Sequence, residues 1–214
     1  DARALLLGNG KTISIDRLCR EVVGQHLNGY LFQNALEQHE SLTQVAGPAI
    51  GTVRLVTICD GEGPRPLYAV WKIPSPEASS DNFWQAGSMI AALDVETGHV
   101  LNVRTGNGAQ ARDIATHPVS GEAFDQVQIP KWATLRQLAQ DAHMVFPEFG
   151  ILGFDIAVTS TGPAIVECND NPFHMLYQLA HQRGVRNADF LPAFERATGR
   201  ASAILARRTK AMKS

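Results

Sequence analysis

The chain has 214 residues, 19 Lys and Arg against 21 Asp and Glu, and a formal net charge of -2. That length allows one large domain or two small ones, and the near-neutral balance argues against a general nucleic-acid or membrane-surface role. Cys19, Cys59 and Cys168 are widely spaced with no CxxC pair, so neither a disulfide framework nor a cysteine zinc site is indicated, and a reducing cytoplasm fits best. No apolar run approaches the ~20 residues needed to span a bilayer, and the opening DARALLLGNGK lacks signal-peptide architecture. A start at Asp rather than Met raises the expectation of a processed or truncated chain.

In chain order, ALLLGNGKTISI reads as two short strands about the turn pair Asn9-Gly10. GNGKT looks like the end of a phosphate-binding loop, but position 5, where that motif needs glycine, is Leu. IDRLCREVVGQHL has helical spacing, with Ile15, Leu18, Val22 and Val23 on one side. YLFQ is expected to begin a strand, and NALEQHESLTQVA reads as helix or loop. GTVRLVTICD and PLYAVWKIP are strands by their β-branched content, and PSPEASSDNF is a loop by its Pro and Ser. SMIAALDVETGHVLNVR reads as a hairpin across ETG. The irregular, Gly-rich stretch from Thr105 to Pro130 is expected to carry active-site loops. PKWATLRQLAQDAHMVFPEF is the clearest amphipathic helix, with Trp132, Leu135, Leu138, Ala139, Ala142 and Val145 at helical spacing. Two further helices follow the final hairpin, and the basic C-terminal stretch GRASAILARRTKAMKS reads as a solvated helix face. The expected class is α+β: a mostly antiparallel sheet with helices packed on one side, and a few strands running parallel through the longer crossovers.

The final hairpin, GFDIAVTSTGPAIVECNDNP, holds the chemistry. Side chains alternate faces along a strand. Asp155 and Ala157 should share one face of the first strand, and Ile165, Glu167 and Asn169 one face of the second. A three-residue loop centred on Thr161, with Gly162 in the left-handed position, would pair Thr159 with Pro163, Ala157 with Ile165, and Asp155 with Glu167. Directly opposed like charges destabilise a strand pair, by a roughly 0.2–1 kcal/mol effect of the size seen for other cross-strand pairs, so something positive should lie between them. Two carboxylates and an amide oxygen suit Mg²⁺, with phosphate oxygens and water completing the shell.

Asp155 followed by Glu167-Cys168-Asn169 resembles the metal-binding signature of the ATP-grasp superfamily. GYLFQNALEQH, GTVRLVT, SDNFWQAG, LDVETG, THPVSGEAF and IPKW stand in the order expected for its sugar-transfer-associated branch, over roughly residues 5–180. The resemblance implies an ATP-grasp-like fold, with residues 1–35 as the end of the N-terminal subdomain and the hinge strand. Residues 36–214 would be the C-terminal subdomain with its closing helices. It implies ATP and Mg²⁺ as cofactors, with Asp155, Glu167 and Asn169 on the metal. Gln33, Asn34 and Ala35 would contact adenine, Leu36 would pack on its ring, and Glu40 would accept from ribose, with Glu37 the competing choice. Lys72 would reach the phosphates, and Arg54 a phosphate or acyl-phosphate oxyanion. Arg104 and Asn82 are weaker candidates for that pocket, and His117 for a substrate contact, although a lone loop histidine is more often merely exposed.

Other ATP-grasp ligases often carry an Arg two residues before the metal Asp. Here that position is Gly153, so Arg54, Lys72 or Arg104 must supply the charge. A Lys-bearing strand and Gly-rich flap normally precede the hinge and are not found here, so a missing N-terminal domain or a partner chain is expected, with a homo-oligomer as a further option. The implied reaction activates a carboxylate of a small-molecule or sugar-conjugate substrate as an acyl phosphate and ligates it to an amine, in surface-polysaccharide or related conjugate biosynthesis. A kinase on the same scaffold, a non-catalytic nucleotide-binding module and a Ca²⁺-binding β-domain are the rival readings.

Overall fold

In a computed structural model of the chain, residues 3–7, 10–26, 28–61, 63–78, 81 and 85–211 are described. The chain divides into two compact units, Asp1–Ala35 and Leu36–Ser214. In the first, β1 (Ala4–Leu6) and β2 (Thr12–Ser14) form an antiparallel hairpin with Leu5 opposite Ile13. Asn9 of the expected turn pair lies outside the described residues. Helix α1 (Ile15–Gln25) begins where the Ser14 hydroxyl accepts the Arg17 N–H, an N-cap bond worth ~1 kcal/mol. Its apolar side is real but none of its residues is buried.

The strand expected at Tyr30 does not form: residues 30–37 are neither strand nor helix. β-propensity describes fit to a neighbouring strand, and this segment pairs with none. Tyr30 instead packs its ring edge-on to His26 and tilted against Phe32, each centroid 4.9 Å away.

The second unit contains α2 (Glu40–Ala46), β3 (Thr52–Cys59), β4 (Pro64–Ile73), β5 (Met89–Leu93), β6 (Val100–Thr105) and β7 (Arg112–Asp113). Then follow α3 (Trp132–Met144), β8 (Ile151–Val158), β9 (Pro163–Asn169), α4 (Met175–His181) and α5 (Leu191–Ala211). The strands make one sheet in the order β7-β6-β5-β4-β3-β8-β9. Every neighbouring pair is antiparallel, so the α+β class is as expected while the anticipated parallel strands are not found in this sheet. Hairpins link β3 to β6 in sequence, and the long return through α3 brings β8 back beside β3.

Helices cover both faces rather than one. Leu135 and Ala139 of α3 and Leu42 of α2 pack with Val53, Leu55, Trp71, Phe154 and Ile156 on one face. Tyr177 of α4 and Ala193 and Ala197 of α5 pack with Val56, Ile58 and Tyr68 on the other, beside a second cluster that joins Leu176 and Ala180 to Val70, Ile90 and Ala92. The reason is in the strands: β3 and β5 are buried along their whole length, and a strand apolar on both faces needs cover on both. The turn between β5 and β6 is shaped by the start of α3, since a Cβ at Gly98 would lie 2.5 Å from the Trp132 ring. Lys131, just before α3, donates its ammonium to the Ser160 carbonyl at 2.6 Å and so ties the helix to the β8–β9 turn.

His143 is fully buried on α3, with Nδ1 2.7 Å from the Thr57 hydroxyl and Nε2 2.9 Å from the Phe149 carbonyl. Burial pushes its pKa down against the opposing effect of the Phe149 bond, and burial also lowers His117, His174 and His181. In each case the unfolded chain, titrating near pH ~6.5, binds a proton that the folded protein refuses. Their contribution to stability is therefore complete above that pH and declines as the pH falls below it. Thermal melts should show Tm dropping progressively once the pH goes below about 6.5, with His143→Gln lowering Tm at neutral pH but flattening the acid slope.

Candidate functional site

The β8–β9 ladder sets Asp155 directly opposite Glu167, the pairing expected from the sequence, but reaches it by a different route. The loop has two residues, Ser160 and Thr161, closed by reciprocal backbone bonds between Thr159 and Gly162 at 3.1 and 3.2 Å. Val158 therefore pairs with Pro163, Ala157 with Ala164 and Ile156 with Ile165, one residue out from the expected Thr159–Pro163 and Ala157–Ile165 pairs. A bulge at Val166 absorbs the difference before Asp155. It also breaks the alternation expected along β9: Ile165 turns to the α3 face and packs on that core, while Glu167 faces the other way with Asp155. A bulge puts two residues against one, and that makes such a split possible.

Asp155 is buried, and its partners come from β3 and β4. Arg54 is its cross-strand neighbour on β3 and grips it bidentately, Nε to Oδ1 at 2.5 Å and Nη2 to Oδ2 at 2.7 Å. Lys72 of β4 donates to Oδ2 at 2.8 Å. Burial alone would push the Asp155 carboxyl up, but the Arg54 bonds and the Lys72 and Arg54 charges outweigh it and hold the group below the usual carboxylate range. Burial would likewise lower Arg54, and Asp155 raises it instead. The positive charge expected beside the opposed carboxylates is thus present as two side chains.

Gly153 lies beside this grip, and a Cβ there would come within 2.7 Å of Pro172 while only touching the Arg54 Cδ at 3.4 Å. The Arg54 side chain thus passes next to position 153 from the adjacent strand.

Arg104 does not join the cluster. On β6 it stands across from Ile90, which itself pairs with Lys72, so two strand spacings, about 10 Å, separate it from Lys72. Its guanidinium is 2.9 Å from Asp113 and donates to the Ala111 and Leu179 carbonyls. The proposed nucleotide contacts Gln33, Asn34, Ala35, Leu36, Glu37 and Glu40 are all exposed, the first three in the first unit and the rest in the second. Between Glu37 and Glu40 lies a residue that sequence reasoning passed over. Gln38 is buried, donates to the Gly47 carbonyl and accepts the Gly51 N–H, both at 2.8 Å, and so fixes the entry to β3. Asn82 lies outside the described residues. His117 is buried rather than exposed, its Nδ1 accepting the Val119 and Ser120 N–H groups.

Also missed was Asp81, which lies 2.9 Å from the Lys72 ammonium and accepts the Thr52 hydroxyl. Its signal was faint: one of two acids in the polar loop that directly follows the strand bearing Lys72.

A divalent cation is tested by the donor set. Among the described residues no three His, Cys, Asp or Glu side chains cluster as a metal centre, so a protein ligand beyond Asp155 and Glu167 would be a neutral oxygen. Asn169, opposite Gly153 on the next pair of β9, supplies one, and its buried Nδ2 has no hydrogen-bond partner. The oxygen and nitrogen of an amide are assigned by their surroundings, and turned over this amide would place its oxygen there. Two carboxylates and that oxygen fit a hard cation, on condition that Asp155 loosens its hold on Arg54 and Lys72.

The large antiparallel sheet with its helices is consistent with an ATP-grasp domain. Within that class the family described as sugar-transfer associated ATP-grasp matches residues 10–195, and the chain belongs to it. Membership carries ATP-dependent activity of the ligase or kinase type in general, and ATP-grasp domains generally bind ATP and Mg²⁺. No curated protein and no solved structure matches the chain significantly. Among the described residues no helix is long and apolar enough to cross a membrane.

Removing one member of a buried ion pair strands the other at a cost of about 3–5 kcal/mol. Arg54→Met should destabilise the protein toward the lower end of that range, because Lys72 stays with Asp155. Urea unfolding checks this, and the Arg54→Met, Asp155→Leu pair should cost clearly less than the two single changes summed.

Proposed function

We propose that the protein uses Mg²⁺-ATP to activate a carboxylate as an acyl phosphate and passes the acyl group to an amine. The observation that carries this reading is the convergence of Asp155, Glu167, Asn169, Arg54 and Lys72 on one face of a rigid sheet. Asp155, Glu167 and Asn169 would hold Mg²⁺, which supplies charge neutralisation for the phosphates and a template for in-line transfer. Phosphoryl transfer depends mainly on positioning and electrostatics, so cations and carboxylates suffice without a covalent nucleophile.

Arg54 and Lys72, once drawn off Asp155, would bind the γ-phosphate and the acyl-phosphate oxyanion. The substrate carboxylate oxygen forms a bond to the γ-phosphorus as the bond to ADP breaks, and the amine then attacks the acyl carbon and expels phosphate. Gln33, Asn34, Ala35 and Leu36 would recognise adenine and Glu40 the ribose. Asp1–Ala35 would be the end of an N-terminal ATP-grasp subdomain with its hinge, and the Lys-bearing strand and flap would come from another domain or a partner chain. The sugar-transfer association in the family description favours a sugar-linked substrate, and surface polysaccharide or a related conjugate would be the product it serves. Arg104, held by Asp113, would act on the substrate only after exchanging that partner.

Calorimetric titration of Mg²⁺-ATP should show binding that chelator weakens without abolishing, and Asp155→Asn or Glu167→Gln should weaken it at least about tenfold, the loss of one charged contact of about 1.4 kcal/mol or more. Binding untouched by either substitution would refute the reading. ADP release that depends on an added amine marks the ligase. ADP release with a stable phosphorylated hydroxyl product and no amine dependence marks a kinase instead.

A further inference from the structure

Lys72 is shared. Its ammonium lies 2.8 Å from Asp155 Oδ2 and 2.9 Å from Asp81 Oδ2, on side chains from different parts of the chain. Lys72 and Asp155 are buried, whereas the Asp81 side chain retains 23% exposure at the rim. The Asp81 oxygen that faces Lys72 also accepts the hydroxyl of Thr52, which is buried on β3. Thr52 and Lys72 stand on the same face, since the next residues, Val53 and Trp71, are cross-strand partners. Asp81 is therefore a fixed acceptor, held by the same two strands that carry Arg54 and Lys72. An ammonium has three donors, so with two carboxylates engaged a third is left to offer a ligand oxygen.

Asp155 has a competing demand. It is gripped by Arg54 as well as Lys72, and a cation coordinated by its oxygens would repel both. Among the described residues Arg54 has Asp155 as its one carboxylate at hydrogen-bonding distance and feels Glu167 only through its charge, whereas Lys72 also has Asp81 at 2.9 Å.

We propose that Asp81 is a positioning residue that keeps the Lys72 ammonium aimed into the site when Asp155 turns to a divalent cation. The inference rests on the Mg²⁺-ATP reading for its consequence, but the sharing of Lys72 is testable without nucleotide. In the unliganded state either carboxylate holds Lys72 when the other is neutralised. In the loaded state only Asp81 does. Asp81 thus separates two tasks that would otherwise fall on one carboxylate, binding the metal and holding the phosphate-directed cation.

The experiment has two arms on the whole chain. Thermal melts of the unliganded protein compare Asp81→Asn, Asp155→Asn and the double variant. Sharing predicts that the double variant loses more Tm than the two single losses added together, because only it leaves Lys72 without a carboxylate. Additive losses would overturn the proposal. In the second arm, calorimetry measures ATP binding with Mg²⁺ and with chelator. Asp81→Asn should weaken Mg²⁺-ATP binding about tenfold, near 1.4 kcal/mol, and leave metal-free ATP binding unchanged, with Asp81→Glu recovering most of the loss. An equal loss with and without metal means that Asp81 merely supports its loop and overturns the proposal. If wild-type binding is indifferent to metal, the Mg²⁺-ATP reading and the loaded-state role of Asp81 fall together, while a non-additive melt would still establish the shared lysine.

Discussion

One carboxylate holds two cations in the middle of a sheet, and the rest of the site is arranged around that fact. Taking ionised groups out of water costs several kcal/mol apiece, and only close, multiply bonded partners repay it. Asp155 meets that condition because its neighbours are fixed in advance. Arg54 is its rung partner on β3, and Lys72 reaches it from β4, the strand on the far side of β3. None of the three needs a loop to place it. The apolar cover on the α3 face, from Trp71 to Phe154, makes these strands rigid enough to hold charges at hydrogen-bonding distance. The polar residues are thus ordered by the apolar ones behind them.

The same interaction bears on the proposed chemistry. On that reading a guanidinium would stand beside the reacting phosphate, and glycine at position 153 has no side chain to give it. Arg54 of β3, which passes beside position 153, would provide it from the neighbouring strand. A charge at one point in space can be delivered from more than one strand.

What could be read from residues alone was whatever depends on short-range pattern. The opposition of Asp155 and Glu167, the strand from Thr52 and the helix from Trp132 all follow from residue type, alternation or helical spacing. What was missed depends on partners distant in sequence. Tyr30 to Gln33 has strand-like residues and no strand to pair with. Asp81 gains its meaning from Thr52, 29 residues before it, and from Lys72 at the end of the preceding strand. The cover on the second face comes from α4 and α5, beyond the hairpin, and no local pattern in β3 or β4 says where their helices will lie. The loop of the β8–β9 hairpin shows a subtler limit. A three-residue turn and a regular ladder, or a two-residue turn and a bulge, give the same Asp155–Glu167 pair, and residue types near Gly162 do not choose between them.

That equivalence has a consequence for how this hairpin can diverge. Because Val166 stands out of the ladder and is half-exposed, it works as a slack link between the turn and the charged end of β9. A residue gained in the turn could be offset by losing the bulge, and the acids would still meet. Chains of equal length between the Asp and the E-x-N can therefore differ in turn type and still set the two acids opposite each other. What would change is Ile165, which pairs with Ile156 and packs on the core here and would pair with Ala157 on the opposite face in a regular ladder.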